Sequence, residues 1–64
     1  MSKKKYSNFI VAFSDDDFFE TESYRDAFTA LNRSSAATIF ALPNYDGANY
    51  EPILTKDGGR PYLY

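Results

Sequence analysis

The side chains best suited to chemistry in this chain are carboxylates, and they are concentrated in one short stretch. Six acidic residues fall within positions 15–26, where Arg25 is the one cation, so this stretch has a net charge of −5 (six acids less one base). The whole chain of 64 residues has a net charge of −2. Five of the acids, named here the acidic strip, are Asp15, Asp16, Asp17, Glu20 and Glu22. A dense anionic strip can attract a basic surface and speed the encounter with it.

The acidic strip also has a purely structural interpretation. Carboxylates just before a helix and in its first turn interact favourably with the positive end of the helix dipole, each contributing about 0.3–1 kcal/mol. One or two would serve that purpose, whereas six in twelve residues repel one another. The acidic strip can therefore be interpreted either as a solvated surface or as a docking site.

Catalysis is disfavoured by the residue types present. The chain has no His and no Cys, which removes imidazole and thiolate zinc sites, nucleophile pairs that use them, and the usual general base near neutral pH. Asp17 and Glu20 could act as paired carboxylates, but such pairs need a cleft that a chain this short can hardly build. The aspartates lack the glycine of a calcium loop, and Gly58-Gly59 does not begin a phosphate-binding loop. We expect no enzyme and no cofactor, with at most weak binding of a divalent ion.

Four segments have the length and the aromatic or β-branched content of strands. They are 6–13, 36–42, 50–55 and 61–64. The first has apolar residues on both faces, which is typical of an interior strand. Pro52 places the third at an edge or on a bulge, because proline cannot donate to a strand ladder.

A hairpin is predicted between the last two strands. Its two-residue turn is either Asp57-Gly58 or Gly58-Gly59, both of which suit positive φ angles. The first choice places Ile53 opposite Tyr62, and the second places it opposite Tyr64.

One amphipathic helix is predicted over 22–32. Apolar residues recur there at i, i+3, i+4 and i+7, which gives a helix one apolar stripe. They are Tyr24, Ala27, Phe28 and Leu31. Thr21 or Ser23 can cap the helix start. Phe18 and Phe19 are out of phase with the stripe and form a turn or a short strand.

These elements predict an α+β fold in the order β-α-β-β-β. We expect a basic flexible arm over 1–5 and a single small two-layer domain over 6–64. In it the helix packs on one face of a mixed three- to four-stranded sheet that ends in a β-hairpin. If the first two strands are parallel neighbours, the helix crosses between them on one side. The other face of the sheet then has no helix over it and is either exposed to water or a binding surface.

Four tyrosines are concentrated in the last twenty residues, in turns and outer strands. They are Tyr45, Tyr50, Tyr62 and Tyr64. Tyrosine is favoured at protein interfaces because it offers a large contact area with little rotamer entropy. Alternatively, two or three of these rings line the sheet and hydrogen-bond at their tips.

The basic arm allows a second hypothesis. Lys3, Lys4 and Lys5 could contact phosphates while Tyr62 and Tyr64 stack on bases. The acidic residues among the C-terminal strands leave no basic groove, so direct nucleic-acid binding is unlikely. A third hypothesis is a homodimer formed through an edge strand or the tyrosine face.

The leading hypothesis is a non-enzymatic protein-binding module. Its acidic strip and tyrosines would dock on a basic protein, such as one that handles nucleic acid, and inhibit or modulate it. In length, charge and element order the chain is similar to small phage-encoded proteins that inactivate a host enzyme by binding it, which implies action in the host cytoplasm. The apolar run after the lysines is too short for a signal peptide or a membrane span, and this also favours the cytoplasm.

Overall fold

A computed structural model describes residues 5–63 and shows one helix against one face of a five-stranded sheet. The elements are β1 (Tyr6–Ala12), β2 (Phe18–Thr21), α1 (Tyr24–Asn32), β3 (Ala37–Pro43), β4 (Glu51–Asp57) and β5 (Arg60–Leu63). The strand order is β2-β1-β3-β4-β5, and every neighbouring pair is antiparallel. The α+β class is therefore confirmed, whereas the mixed sheet of three to four strands is wrong.

The additional strand β2 exists because the chain reverses direction within the aspartate run. The backbone N–H of Phe13 donates to the carbonyl of Asp17 over 2.8 Å, and the N–H of Asp17 donates back to the carbonyl of Ser14 over 3.4 Å. This turn brings Phe19 opposite Val11. The first two long strands, which a mixed sheet would have allowed to be parallel neighbours, are antiparallel: β2 occupies one side of β1, and β3 pairs antiparallel on the other.

The helix begins at Tyr24 rather than at residue 22, and Ser23, one of the two predicted capping residues, is its N-cap. The Ser23 hydroxyl accepts the N–H of Asp26 over 3.3 Å, and the Thr21 hydroxyl accepts the N–H of Ser23 over 3.1 Å. In the predicted stripe Ala27 and Leu31 are fully buried, but Tyr24 remains 47% exposed.

The core lies between α1 and the facing side of the three central strands. Its buried apolar residues are Phe9, Val11, Ala27, Leu31, Ala37, Ile39, Ala41 and Leu54. The small side chains of Ala37 and Ala41 allow the helix to approach β3 closely. A ladder of rings extends the core towards the helix start, where Tyr24 contacts Phe9 edge-on, with ring centroids 5.6 Å apart.

Strand β4 lies inside the sheet, between β3 and β5. At Pro52 itself, however, β3 is the one neighbouring strand among residues 5–63, because β5 pairs only with Leu54–Asp57. The predicted edge position therefore holds locally, and the predicted bulge is present as well. Phe40 pairs with Pro52 whereas the preceding Ile39 pairs with Leu54, so the register shifts by one residue at this point. The irregularity accommodates the proline, which has no N–H to donate to the ladder.

The C-terminal hairpin uses Gly58-Gly59 as its turn. Asp57 lies opposite Arg60, and Leu54 lies opposite Leu63. The two glycines have φ angles of +62° and +84°, as a two-residue turn with both central residues at positive φ requires. Tyr64 and the lysines of the arm before Lys5 lie outside the described residues.

The turn gives a first prediction. Gly59→Ala should lower the free energy of unfolding by about 1–2 kcal/mol, because an alanine Cβ is strained at this φ. No atom crowds the site, so the loss would come from the backbone alone. Gly58→Asn should cost less, since asparagine tolerates the left-handed region. Urea unfolding followed by circular dichroism measures both, and equal losses would contradict this view of the turn.

Candidate functional site

The side of the sheet opposite α1 has no element of residues 5–63 packed over it, and it is named here the open face. Strand alternation and pairing assign its residues. They are Asn8, Ile10, Ala12, Phe18, Glu20, Thr38, Phe40, Leu42, Pro52, Thr55, Asp57, Arg60 and Tyr62. All of them are half-buried or exposed. The sheet therefore presents a partly apolar surface that the fold itself does not use as core.

The centre of the open face is an apolar row across three strands. Ile10 of β1 pairs with Phe40 of β3, and Phe40 pairs with Pro52 of β4. In the adjacent row Phe18 pairs with Ala12 and is 60% exposed. A groove of about 300 Å3 runs along this part of the sheet, and its lining is formed by Ile10, Ala12, Ser14, Asp15, Phe18, Phe40 and Tyr50.

One end of the open face is organised by a hydrogen-bond network. The side-chain amide nitrogen of Asn8 donates to the Glu20 carboxylate over 2.6 Å and to the Tyr50 hydroxyl over 2.7 Å. Tyr50 precedes β4 in the chain, so this bond holds its side chain against β1. The network fixes a carboxylate and an aromatic ring on the same face.

The acidic strip does not form a single patch. Glu20 and Asp15 belong to the open face and its groove. Asp17 instead lines a depression beside α1, and Glu22 lines another near the helix start. Asp16 is exposed in the turn between β1 and β2. Within residues 5–63 none of these carboxylates forms an ion pair.

The predicted tyrosines also separate. Tyr50 and Tyr62 lie on the open face, the first through its bond to Asn8 and the second opposite Thr55. Tyr62 is 51% exposed, and Tyr45 is 68% exposed in the loop between β3 and β4. Of the nine predicted site residues, two acids and two tyrosines thus belong to the open face. Asp15, Glu20 and Tyr50 lie at the groove or in the Asn8 network beside it, whereas Tyr62 lies on β5, at the opposite edge of the sheet from β2.

Phe18, Phe40 and Ile10 are the members of the open face that were missed as site residues. The sequence contained the information needed to find them. Strand alternation already placed Phe40 and Ile39 on different faces of the sheet, and Phe18 was out of phase with the apolar stripe of the helix. The aromatic content of the face became apparent only once β2 was known to be a strand.

Within residues 5–63 there is no group of three or more acidic side chains placed to hold a metal ion. The same residues contain no helix long and apolar enough to cross a membrane. Comparison with protein-family models, with curated proteins and with solved structures gives no match for this chain.

Proposed function

We propose that the protein is a non-enzymatic binding module that docks its open face on a basic surface of another protein and thereby modulates or inhibits it. The observation that carries this proposal is the coincidence of aromatic surface and unpaired negative charge. Phe18, Phe40 and Tyr50 line the same groove as Asp15, and Glu20 lies next to Ile10 in the central row.

The composition of the open face fits a protein partner. Phe18 and Tyr62 expose 60% and 51% of their surface, and large rings contribute strongly to interface energy when a partner removes them from water. A small domain gains little stability from leaving such rings exposed, so another role accounts for them better. The hydroxyl of Tyr62 and the amide of Asn8 would supply the polar rim that interfaces usually have.

The charge of the face indicates a basic partner. Among residues 5–63, the charged side chains on this face and in its groove are Asp15, Glu20, Asp57 and Arg60, which sum to −2 (three acids less one base). Proteins that handle nucleic acid have suitable cationic grooves, and we propose this class, acting in the cytoplasm. Direct binding of nucleic acid would need the opposite charge, because phosphate contacts dominate its affinity.

The proposal predicts a charge-dependent capture from the native host. Asp15→Lys with Glu20→Lys should remove the partner that wild type retains, because both carboxylates lie on the open face. Asp46→Lys with Glu51→Lys is the matched control. Each pair raises the net charge from −2 to +2 (two reversals of two units each). Quantitative mass spectrometry of the retained proteins gives the measurement.

The purified partner then provides the affinity. We expect the open-face pair to weaken binding about 10-fold or more and to flatten its dependence on salt. Equal binding by both pairs would refute docking through this face. Retardation of single- or double-stranded nucleic acid in a gel at low salt would favour the alternative function instead.

A further inference from the structure

We infer that the groove on the open face receives an arginine side chain of the partner. The inference rests on the proposed function and specifies what occupies the site. The groove combines aromatic side chains with the carboxylate of Asp15 in a volume of about 300 Å3. A flat, charged guanidinium can use both, whereas an aliphatic side chain cannot pair with the carboxylate.

The rings supply the first part of the recognition. Within residues 5–63, neither Phe18 nor Phe40 contacts another aromatic ring, whereas the rings on the helix side pack against one another. Phe18 is 60% exposed and Phe40 is half-buried, so both rings keep surface that a partner can cover. A guanidinium stacks on the faces of such rings and is attracted by their negative quadrupole.

Two carboxylates supply the second part. Asp15 lines the groove itself, and Glu20 pairs with Ile10, one of the other lining residues. One oxygen of Glu20 accepts the Asn8 amide, which holds this carboxylate in place and leaves its other oxygen without a described donor. Guanidinium carries five N–H donors in a rigid plane, so it can bond a carboxylate while it lies over a ring.

Arginine fits the groove better than the other groups that could occupy it. Lysine carries a strongly hydrated point charge that stacks less well on rings. A second copy of this chain would bring its own open face, and two faces that each sum to −2 would repel each other. An uncharged apolar segment would leave Asp15 without a counter-charge when it covered the groove.

The test uses a small probe, Nα-acetyl-arginine methylamide, titrated into the 15N-labelled protein and followed by NMR. The matched probes carry lysine or citrulline, the latter being a neutral analogue of arginine with a similar planar end. We expect shifts at Ile10, Ala12, Phe18 and Phe40. Citrulline should bind about two- to fivefold more weakly than arginine, as the loss of a cation–π contact implies.

Protein variants localise the effect. Asp15→Asn and Phe18→Leu should each weaken the arginine probe, while Asp46→Asn should leave it unchanged. Equal binding of arginine and citrulline, shifts confined to the helix side, or a dimer in light scattering that buries this face would overturn the inference. If the captured partner still requires Asp15 and Glu20 in any of these cases, docking survives and only the arginine assignment fails.

Discussion

Ile39→Ala is expected to lower the free energy of unfolding by about 2–4 kcal/mol, the usual cost of emptying a fully buried aliphatic site. Ile39 of β3 is completely buried on the side of the sheet that faces α1. No neighbouring side chain in so small a core can move far enough to fill the space. A domain of this length has about 3–9 kcal/mol in total. The variant should therefore lose a large part of its stability, with a fall in Tm of roughly 10–25 °C.

Phe40→Thr, at the next position, is the matched control. Its side chain points to the open face and is only half-buried, and threonine suits a strand next to the hydroxyl pair of Thr38 and Thr55, whose oxygens are 3.0 Å apart. We expect a loss of about 1 kcal/mol or less. Calorimetry of both variants gives the comparison. A loss at Phe40 equal to that at Ile39 would mean that the open face contributes to the folding core.

Lys56→Met should lower the free energy of unfolding by about 1–2 kcal/mol, because Lys56 stabilises the end of the helix from a neighbouring strand. Its ammonium donates to the carbonyl of Asn32 over 3.0 Å and to that of Leu31 over 3.5 Å. The last turn of α1 has no basic residue of its own. Methionine keeps the apolar stem of the side chain but leaves the Asn32 carbonyl without this donor.

Lys5→Met makes the same chemical change at an exposed residue, whose ammonium lies 5.5 Å from the centroid of the Tyr6 ring. It should lower the free energy of unfolding by only about 0.5 kcal/mol. Urea unfolding of the two variants separates the local contact from the general effect of removing one positive charge. Similar losses for both would show that net charge, rather than the contact at the helix end, explains the result at Lys56.

Much of the scaffold could be predicted from local patterns. The period of the apolar residues located the helix to within two residues, and alternation in 36–42 correctly separated Ile39 from Phe40. The β1 segment was recognised as an interior strand because both of its faces are apolar. Each of these predictions depends only on residues within one element.

The parts that failed depend on pairing between elements. Residues 18–21 were predicted only as a turn or a short strand, and four residues do not show which strand they pair with. The antiparallel hairpin with β1 was therefore missed, and the sheet was predicted to be mixed. Without that hairpin, Phe18 could not be assigned to either face of the sheet. Lys56 resembled any solvated lysine of a hairpin, since its partners on α1 lie 24 or more residues away in the chain.

The candidate site was predictable only in part, for the same reason. Charge density identified the acidic strip, but it could not show that the turn between β1 and β2 divides these acids between the two faces. Asp17 and Glu22 consequently belong to the helix side. Asp15 and Glu20 are candidates for partner binding because strand pairing places Phe18 and Phe40 near them on the open face.

Methyl NMR of the captured partner's complex tests the central claim most directly. Isoleucine and leucine methyl groups report on both sides of one sheet, with Ile10 and Leu42 on the open face and Ile39 and Leu54 in the core. Docking on the open face predicts large shifts and line broadening at Ile10 and Leu42 on addition of the partner, with Ile39 and Leu54 nearly unchanged. Unperturbed Ile10 and Leu42 in a fully formed complex would contradict the account.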